Sequence, residues 1–516
     1  MRDTGPILGL ARAEPRVIRV TLDPRTPVIV GAGQFLQRAE SVDDALDAVG
    51  LMEHAILGAA TDAGLSGPPE VDSIRVVSLF SWRYGNPGWL LAERLGLAPG
   101  EFAYTTAGGN TPQSLVNKTA LDLAAGRLDS VILVGGEAWR TRMRARRTGA
   151  TLEWPKAPDD RPPVLIGAEL DMSHPAETER GVYLPVQIYP MFETALRAAA
   201  GRTPDDHLVA ISELWAAFSE VAAKNPFAWI RDVKSAEEIR TTTPTNRLVG
   251  LPYRKYMNSN NDVDMAAALL MCTVDSARRL GIAEDRWIFP QAGTDCHEHP
   301  YISNRDSFTR TPAVEVGGRR ALELAGLGID DVPLIDLYSC FPSAVQLGAQ
   351  SLGLGVDGHD RPLTRTGGLS FAGGPWNNYV MHAIATVATE LREQRGASAL
   401  VWANGGYVTK HAFGVYASTP PDNGFRHDEP QAEIDALPSR ALADPGDAAG
   451  PATIEAYTVM HGRDGAPEQA IATCLLADSR RAWGLSADPA TMAALGEGEW
   501  VGRPARLDAD GGLRLD

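Results

Sequence analysis

The residues able to do chemistry gather around glycine-rich turns. Cys340 follows the apolar stretch Leu334–Tyr338 and precedes a helix. A helix dipole can poise a thiol there, and a buried structural cysteine fits the place equally well. Its neighbours Tyr338 and Ser339 can donate to an oxyanion or serve as ordinary loop donors. The stretch Thr106–Gly126 reads as a helix with a specified start. Gly108 and Gly109 allow a tight entry, Asn110 can N-cap, Pro112 sits in the first turn and Gln113 completes a capping-box spacing. Free N–H groups and the positive dipole end would suit an anionic intermediate. Thr111 and Ser114 are the hydroxyls nearby, and the sequence shows no base for either. His382, among Met381, Ile384 and Ala385, reads as a packed helix histidine ahead of an acid/base role, and so does His411. Within Asp295, His297, Glu298 and His299 the two histidines alternate as ligands on one strand face would, but the run ends at Pro300 and reads as a solvated loop, so no metal is expected.

Charge narrows the partners. The chain of 516 residues carries 48 basic and 65 acidic side chains, a net −17, which argues against a general nucleic-acid or anionic-membrane binder. Against that background Arg140, Arg142, Arg144, Arg146 and Arg147 stand out, as phosphate-matching forks or as an exposed loop. Cys272, Cys296, Cys340 and Cys474 lie far apart without CxxC spacing, so neither a zinc site nor a disulfide framework is indicated. Residues 1–26 do not read as a cleaved signal, and no run reaches the roughly 18 apolar residues of a membrane span. A cytoplasmic location is expected.

The elements that must position these residues alternate. Pro27–Gly31, a helix over Val42–Leu65, Ile74–Leu79, a helix around Trp89–Leu95, Phe102–Thr105, the helix of Thr106–Gly126 and the strand Ser130–Glu137 predict an α/β fold with a largely parallel sheet. Residues 138–230 interrupt the pattern with the arginine run, a proline-rich loop and helices at Val186–Ala200 and Asp205–Ala223, as an inserted loop domain would. Alternation resumes from Asp264 to Ala403. Gly108–Gly136 and Gly367–Gly406 share one order, a glycine-rich loop, a helix, then an apolar strand ending in Gly-Gly, which suggests two similar halves. The expected divisions are an extension 1–26, a first half 27–262, a second half 263–418, a polar linker 419–450 and a small all-β, OB-like domain 451–516. Its strands are read at Ala452–Met460, Gln469–Leu476, Trp500–Leu507 and Gly512–Leu515.

PVIVGAGQ, GGNTPQSLVNKTALDLAAGRLDSVILVGGEA, NSNNDVDMAAALLM, LIDLYSCFPSAVQ, GGLSFAGGPWNN and ALVWANGG together resemble the thiolase superfamily, most closely the branch called thiolase-like protein type 1 with its additional C-terminal domain. The resemblance spans about residues 26–418. It implies two βαβαβαββ halves, a loop domain that binds coenzyme A and four catalytic loops meeting at the centre. It also implies an acetyl-CoA acetyltransferase, with CoA or acyl-CoA as ligand, no tightly bound cofactor, and a monomer or a homodimer pairing through Ser130–Val134. The chain departs from that pattern at three positions. The nucleophilic cysteine aligns with Gly109, the Gly-His-Pro histidine with Gly374, and the Cys-x-Gly cysteine with Asn404. Cys340, in Tyr338–Ser339–Cys340–Phe341, matches the acid/base cysteine of the sterol-carrier-type form. Claisen chemistry needs a thiolate and a base, so ordinary thiolase activity is expected to be weak or absent. Any remaining chemistry falls to Cys340 and His382, with Asn110, Tyr338, Ser339 and Asn404 as donors. Arg140, Arg142, Arg144, Gly374 and Gly405 are the expected CoA contacts. One alternative is a retro-aldol or retro-Claisen lyase of the lipid-transfer-protein type, since Glu455–His461 is similar to the OB portion of the partners such enzymes use. The other is a non-catalytic CoA or lipid binder.

Overall fold

The computed structural model describes residues 22–356 and 361–516, so residues 1–21 of the expected extension lie outside the described residues. The first sheet is built from Pro27–Leu36 (β1), Ser73–Val76 (β2), Glu101–Thr105 (β3), Ser130–Ala138 (β4) and Val164–Ile166 (β5). After the short strands Leu248–Gly250 (β6) and Tyr253–Arg254 (β7), it is completed by Asp264–Thr273 (β8). The order is β1-β8-β4-β2-β3-β5. Strand β8 is buried along its whole length, as its near-continuous apolar run requires of a strand covered on both faces. Because β8 pairs with both β1 and β4, the expected boundary at 262/263 is corrected: the last strand of the first half lies beyond it.

The second sheet contains Phe289–His297 (β9), Leu334–Leu337 (β10), Ser398–Gly405 (β11), Lys410–Ala417 (β12) and Arg426–Asp428 (β13), in the order β10-β11-β12-β9-β13. The helices Thr111–Ala124 and Tyr379–Glu393 lie between the two sheets and touch both. Ala48–Asp62 and Pro312–Ala325 cover the outer faces, giving five layers. The Thr111–Ala124 helix approaches the second sheet where glycines leave room. A Cβ at Gly293 would stand 2.6 Å from Cγ of Asn117, and one at Gly414 2.6 Å from Cδ of Gln113. The polar side chains that this burial encloses all find partners: Tyr416 donates to Gln113 at 2.7 Å, Asn117 to Asp295 at 2.8 Å, and Arg75 to Asp122 at 2.7 Å.

That packing corrects three expectations. Asn110 makes no capping bond and Gln113 points to Tyr416, so the capping box does not form. Tertiary partners fix the helix start instead, with Gly108 N donating to Asn377 at 3.0 Å and Thr111 Oγ1 to the Gly108 carbonyl at 2.7 Å. Strand β4, the expected pairing edge, has neighbours on both sides and no free edge, while β5 takes the outer edge of β3. The expected linker 419–450 is packed, since β13 pairs with β9 and Ile434 of the short helix Gln431–Asp435 is buried.

The C-terminal sheet runs Gly450–His461 (β14), Pro467–Leu475 (β15), Arg481–Ser486 (β16), Pro504–Leu507 (β17) and Leu513–Leu515 (β18), in the order β16-β15-β14-β17-β18. Strand β16 and the helix Pro489–Glu497 were not expected. Arg481, fully buried, locks the sheet to the body: its Nε and Nη2 donate to the two oxygens of Glu455 at 2.6 Å, and its Nη1 donates to the carbonyls of Ile302, Ser303 and Arg305. Among the described residues no helix is long and apolar enough to cross a membrane.

Candidate functional site

A cavity of about 410 Å³ opens where five loops meet, within the size range of small-molecule sites. Gly108 and Gly109 precede the Thr111–Ala124 helix, Asn258–Asn261 precede β8, Tyr338–Phe341 follow β10, Trp376 and Asn377 precede the Tyr379–Glu393 helix, and Asn404–Gly406 end β11. Met172, Leu184 and Tyr189, from the segment inserted after β4, close one side. Among the described residues no Asp, Glu, Lys, Arg or His lines the cavity.

The three departing positions have distinct surroundings. A Cβ built on Gly109 would overlap the Tyr338 hydroxyl and the Asn404 carbonyl, with Tyr338 Cζ at 2.8 Å. A phenol therefore occupies the space a side chain at 109 would need. A Cβ on Gly374 would overlap Ser259 Oγ, which is buried without a hydrogen-bond partner. Asn404 donates to Tyr189 Oη at 3.0 Å, and that hydroxyl donates in turn to the Gly406 carbonyl at 3.0 Å.

Burial sets the protonation of the wall. The Cys340 thiol is pushed up to about 12, first by desolvation. Desolvation also raises the phenols of Tyr338 and Tyr189 above their ordinary range. All three are neutral near pH 7 and act there as donors. Cys340 is thus predicted to resist iodoacetamide up to pH 9 in the native protein and to react once the chain is unfolded; rapid native alkylation, located by peptide mass, would contradict this.

The cavity gathers Tyr338, Cys340, Asn404 and Gly405 from the sequence-predicted set, and leaves the others elsewhere. Ser339 is buried away from the cavity and Gly374 does not line it. Asn110 faces a different cavity. His382 is held at Nδ1 by Gln34 at 2.8 Å, and desolvation lowers it to about 3, so it stays neutral inside its helix. His411 sits against Trp402 and is likewise lowered by desolvation. Arg140 pairs with Asp262 at 3.0 Å and Arg144 donates to the Ala39 carbonyl at 2.9 Å. Arg142 does not line the cavity either; it donates to the main-chain carbonyl of cavity-lining Phe80 and lies over Trp139, which packs on Trp376. Asp295 accepts from Asn117 and His427, whereas Glu298 accepts from Ala313 N at the start of another helix, so these two acids do not share a site.

Sequence reasoning missed Tyr189, Met172 and Leu369 as cavity walls. Tyr189 lies in a buried helix beside Pro190, where an aromatic residue carries no mark distinguishing wall from core.

Residues 429–512 match the family model described as the thiolase-like protein type 1 additional C-terminal domain. The crystal structure of a monomeric SCP2-thiolase like protein type 1 from Mycobacterium smegmatis is 32% identical, covers 96% of this chain and all of its own, and superposes with a TM-score of 0.80. An Ltp2-ChsH2(DUF35) aldolase shares the fold at 19% identity, over 76% of this chain and 98% of its own, with a TM-score of 0.57. An acetyl-CoA acetyltransferase of Methanothermobacter thermautotrophicus is 23% identical over 364 residues, 67% of this chain and 86% of that protein. With the loops, the layers and the added sheet in agreement, the chain belongs to the thiolase-like protein type 1 family.

Proposed function

We propose that the cavity binds the thioester of an acyl-CoA non-covalently and does not carry the cysteine-dependent acyl transfer of thiolases. The observation behind this is the neutral wall. The space beside Gly109 is filled by Tyr338 and Asn404, and no lining residue is a base near pH 7. A covalent route needs both an activated nucleophile and a base. Tyr338 Oη is the donor for the thioester carbonyl. Phe80, Leu369 and Trp376 offer apolar surface to the acyl group, and Arg142, bonded to the Phe80 carbonyl, is the nearest arginine of the run for the CoA phosphates. The similarity to a protein named acetyl-CoA acetyltransferase supports CoA as the ligand class.

Calorimetry with butanoyl-CoA and free CoA tests this reading. Butanoyl-CoA is expected to bind more tightly than CoA. Tyr338→Phe should weaken butanoyl-CoA by about 5–10-fold, the worth of one hydrogen bond, while leaving CoA unchanged. Failure of both ligands to bind would reject the proposal.

A second reading, retro-aldol cleavage of a β-hydroxyacyl-CoA of the lipid-transfer-protein type, needs no covalent nucleophile: the β-hydroxyl proton would pass to water as the carbon–carbon bond breaks, and Tyr338 on the wall would protonate the thioester enolate. Release of a carbonyl product, lost in Tyr338→Phe, would replace the first reading. We further propose a monomer, because β5 occupies the edge of β3 and β4 is interior. Light scattering should then return the single-chain mass of 55.2 kDa, and a dimer mass would contradict it.

A further inference from the structure

A second cavity, about 640 Å³, lies between β5 and the Thr111–Ala124 helix. It backs onto the turn that frames the thioester cavity. Lys410 lines it and donates through Nζ to the carbonyl of Ala107, which lines the other cavity. Nζ would also stand 2.8 Å from a Cβ at Gly108, so the ammonium sits directly behind the glycine turn.

The walls divide into two kinds. Around the rest of the cavity the charges other than Glu429 are already matched: Arg75, Lys118 and Arg127 converge on Asp122, Arg75 also pairs with Glu101, and His427 donates toward Asp295, which also accepts from Ser114 and Asn117. Lys410 differs. It is 8% exposed, forms no ion pair among the described residues, and keeps donors beyond the one spent on Ala107. Burial lowers its pKa, and Glu169 opposes that through its charge alone. A buried ammonium with unspent donors is costly unless an anionic oxygen reaches it. The opposite wall is apolar and open: Val164 is 56% exposed and Leu165 69%, on the three-residue strand β5, with Leu115, Leu121 and Leu128 also lining the space. Exposed apolar side chains rimming a concave site mark ligand surface.

We propose that this cavity is a second ligand site, for an amphipathic carboxylate whose headgroup reaches Lys410 and whose aliphatic body covers Val164 and Leu165. The chemistry is that of a medium-chain fatty acid anion. The site is separate from the thioester cavity, and its occupancy stands independently of whether acyl-CoA binds there.

Octanoate is the probe, titrated calorimetrically into the full chain. One saturable site is expected, weakened about tenfold or more by Lys410→Met and by Leu165→Glu. Saturating butanoyl-CoA should leave octanoate binding in place. Leu165 is an exposed side chain, so Leu165→Glu keeps the test decisive should Lys410→Met fail to fold. Absence of saturable binding, unchanged affinity in a folded variant of either position, or displacement of octanoate by butanoyl-CoA would overturn the assignment. Loss of acyl-CoA binding with octanoate binding retained would reject the thioester reading and leave this one standing.

Discussion

Gly109→Cys is expected to lower stability and to leave acetoacetyl-CoA thiolysis absent, although it places a cysteine where the thiolase superfamily carries its nucleophile. Its Cβ would overlap the Tyr338 hydroxyl and the main-chain oxygen of Asn404. The phenol is the end of a side chain and can swing, but the carbonyl belongs to the last residues of β11, paired with β12, and cannot move without disturbing the sheet. Overpacking of this kind typically costs about 1–3 kcal/mol. A thiol forced into the site would still face no base, because the position aligned with the family histidine is Gly374 and its side-chain space holds Ser259 Oγ. Thermal unfolding and a thiolysis assay on one preparation check both halves. An unchanged melting temperature would show that the space at 109 is free, and measurable turnover would show that a base is available.

Arg481→Met is expected to produce the largest loss of stability, about 3–5 kcal/mol, the range for removing one partner of a buried pair. The guanidinium is fully buried, holds both oxygens of Glu455 and satisfies three carbonyls in the 302–305 turn. Removing it strands a carboxylate at 13% side-chain exposure and empties the contact between the C-terminal sheet and the body. Arg481→Met combined with Glu455→Leu should recover part of the loss, since no unpaired charge then remains. Urea unfolding midpoints measure this. A single variant as stable as the parent would show that the sheet is held by its other contacts, such as Arg197 with Glu499 and Trp483 with Ser303.

The reason some of this could be read from sequence, and some could not, lies in the range of the interactions. Glycine-rich turns are local signals, so Gly108–Gly109, Tyr338 and Cys340 were read on loops, and they line one cavity together with Asn404–Gly406, of which Asn404 and Gly405 still belong to β11. The alternation of elements likewise gave the α/β architecture. The space beside Gly109 is filled by Tyr338, from the loop after β10, and by the Asn404 carbonyl of β11, two segments far along the chain whose approach to the turn has no local mark. The Asn110 cap failed for a similar reason: its spacing is that of an exposed helix start, whereas tertiary partners satisfy this buried one. The arginine run reads either as phosphate-matching forks or as an exposed loop, and spacing cannot reveal that Arg140 and Arg144 are held by Asp262 and by the Ala39 carbonyl. Strand β5 is three residues long, too short to show a period, yet it determines which sheet edge is free.

The most direct test of a thioester site without covalent chemistry is mass spectrometry of the protein after prolonged incubation with acetoacetyl-CoA and CoA. The native spectrum should carry one intact acyl-CoA per chain, and the denatured spectrum should show the bare polypeptide mass. A denatured species heavier by an acyl group, or conversion of the ligand to acetyl-CoA, would contradict the account.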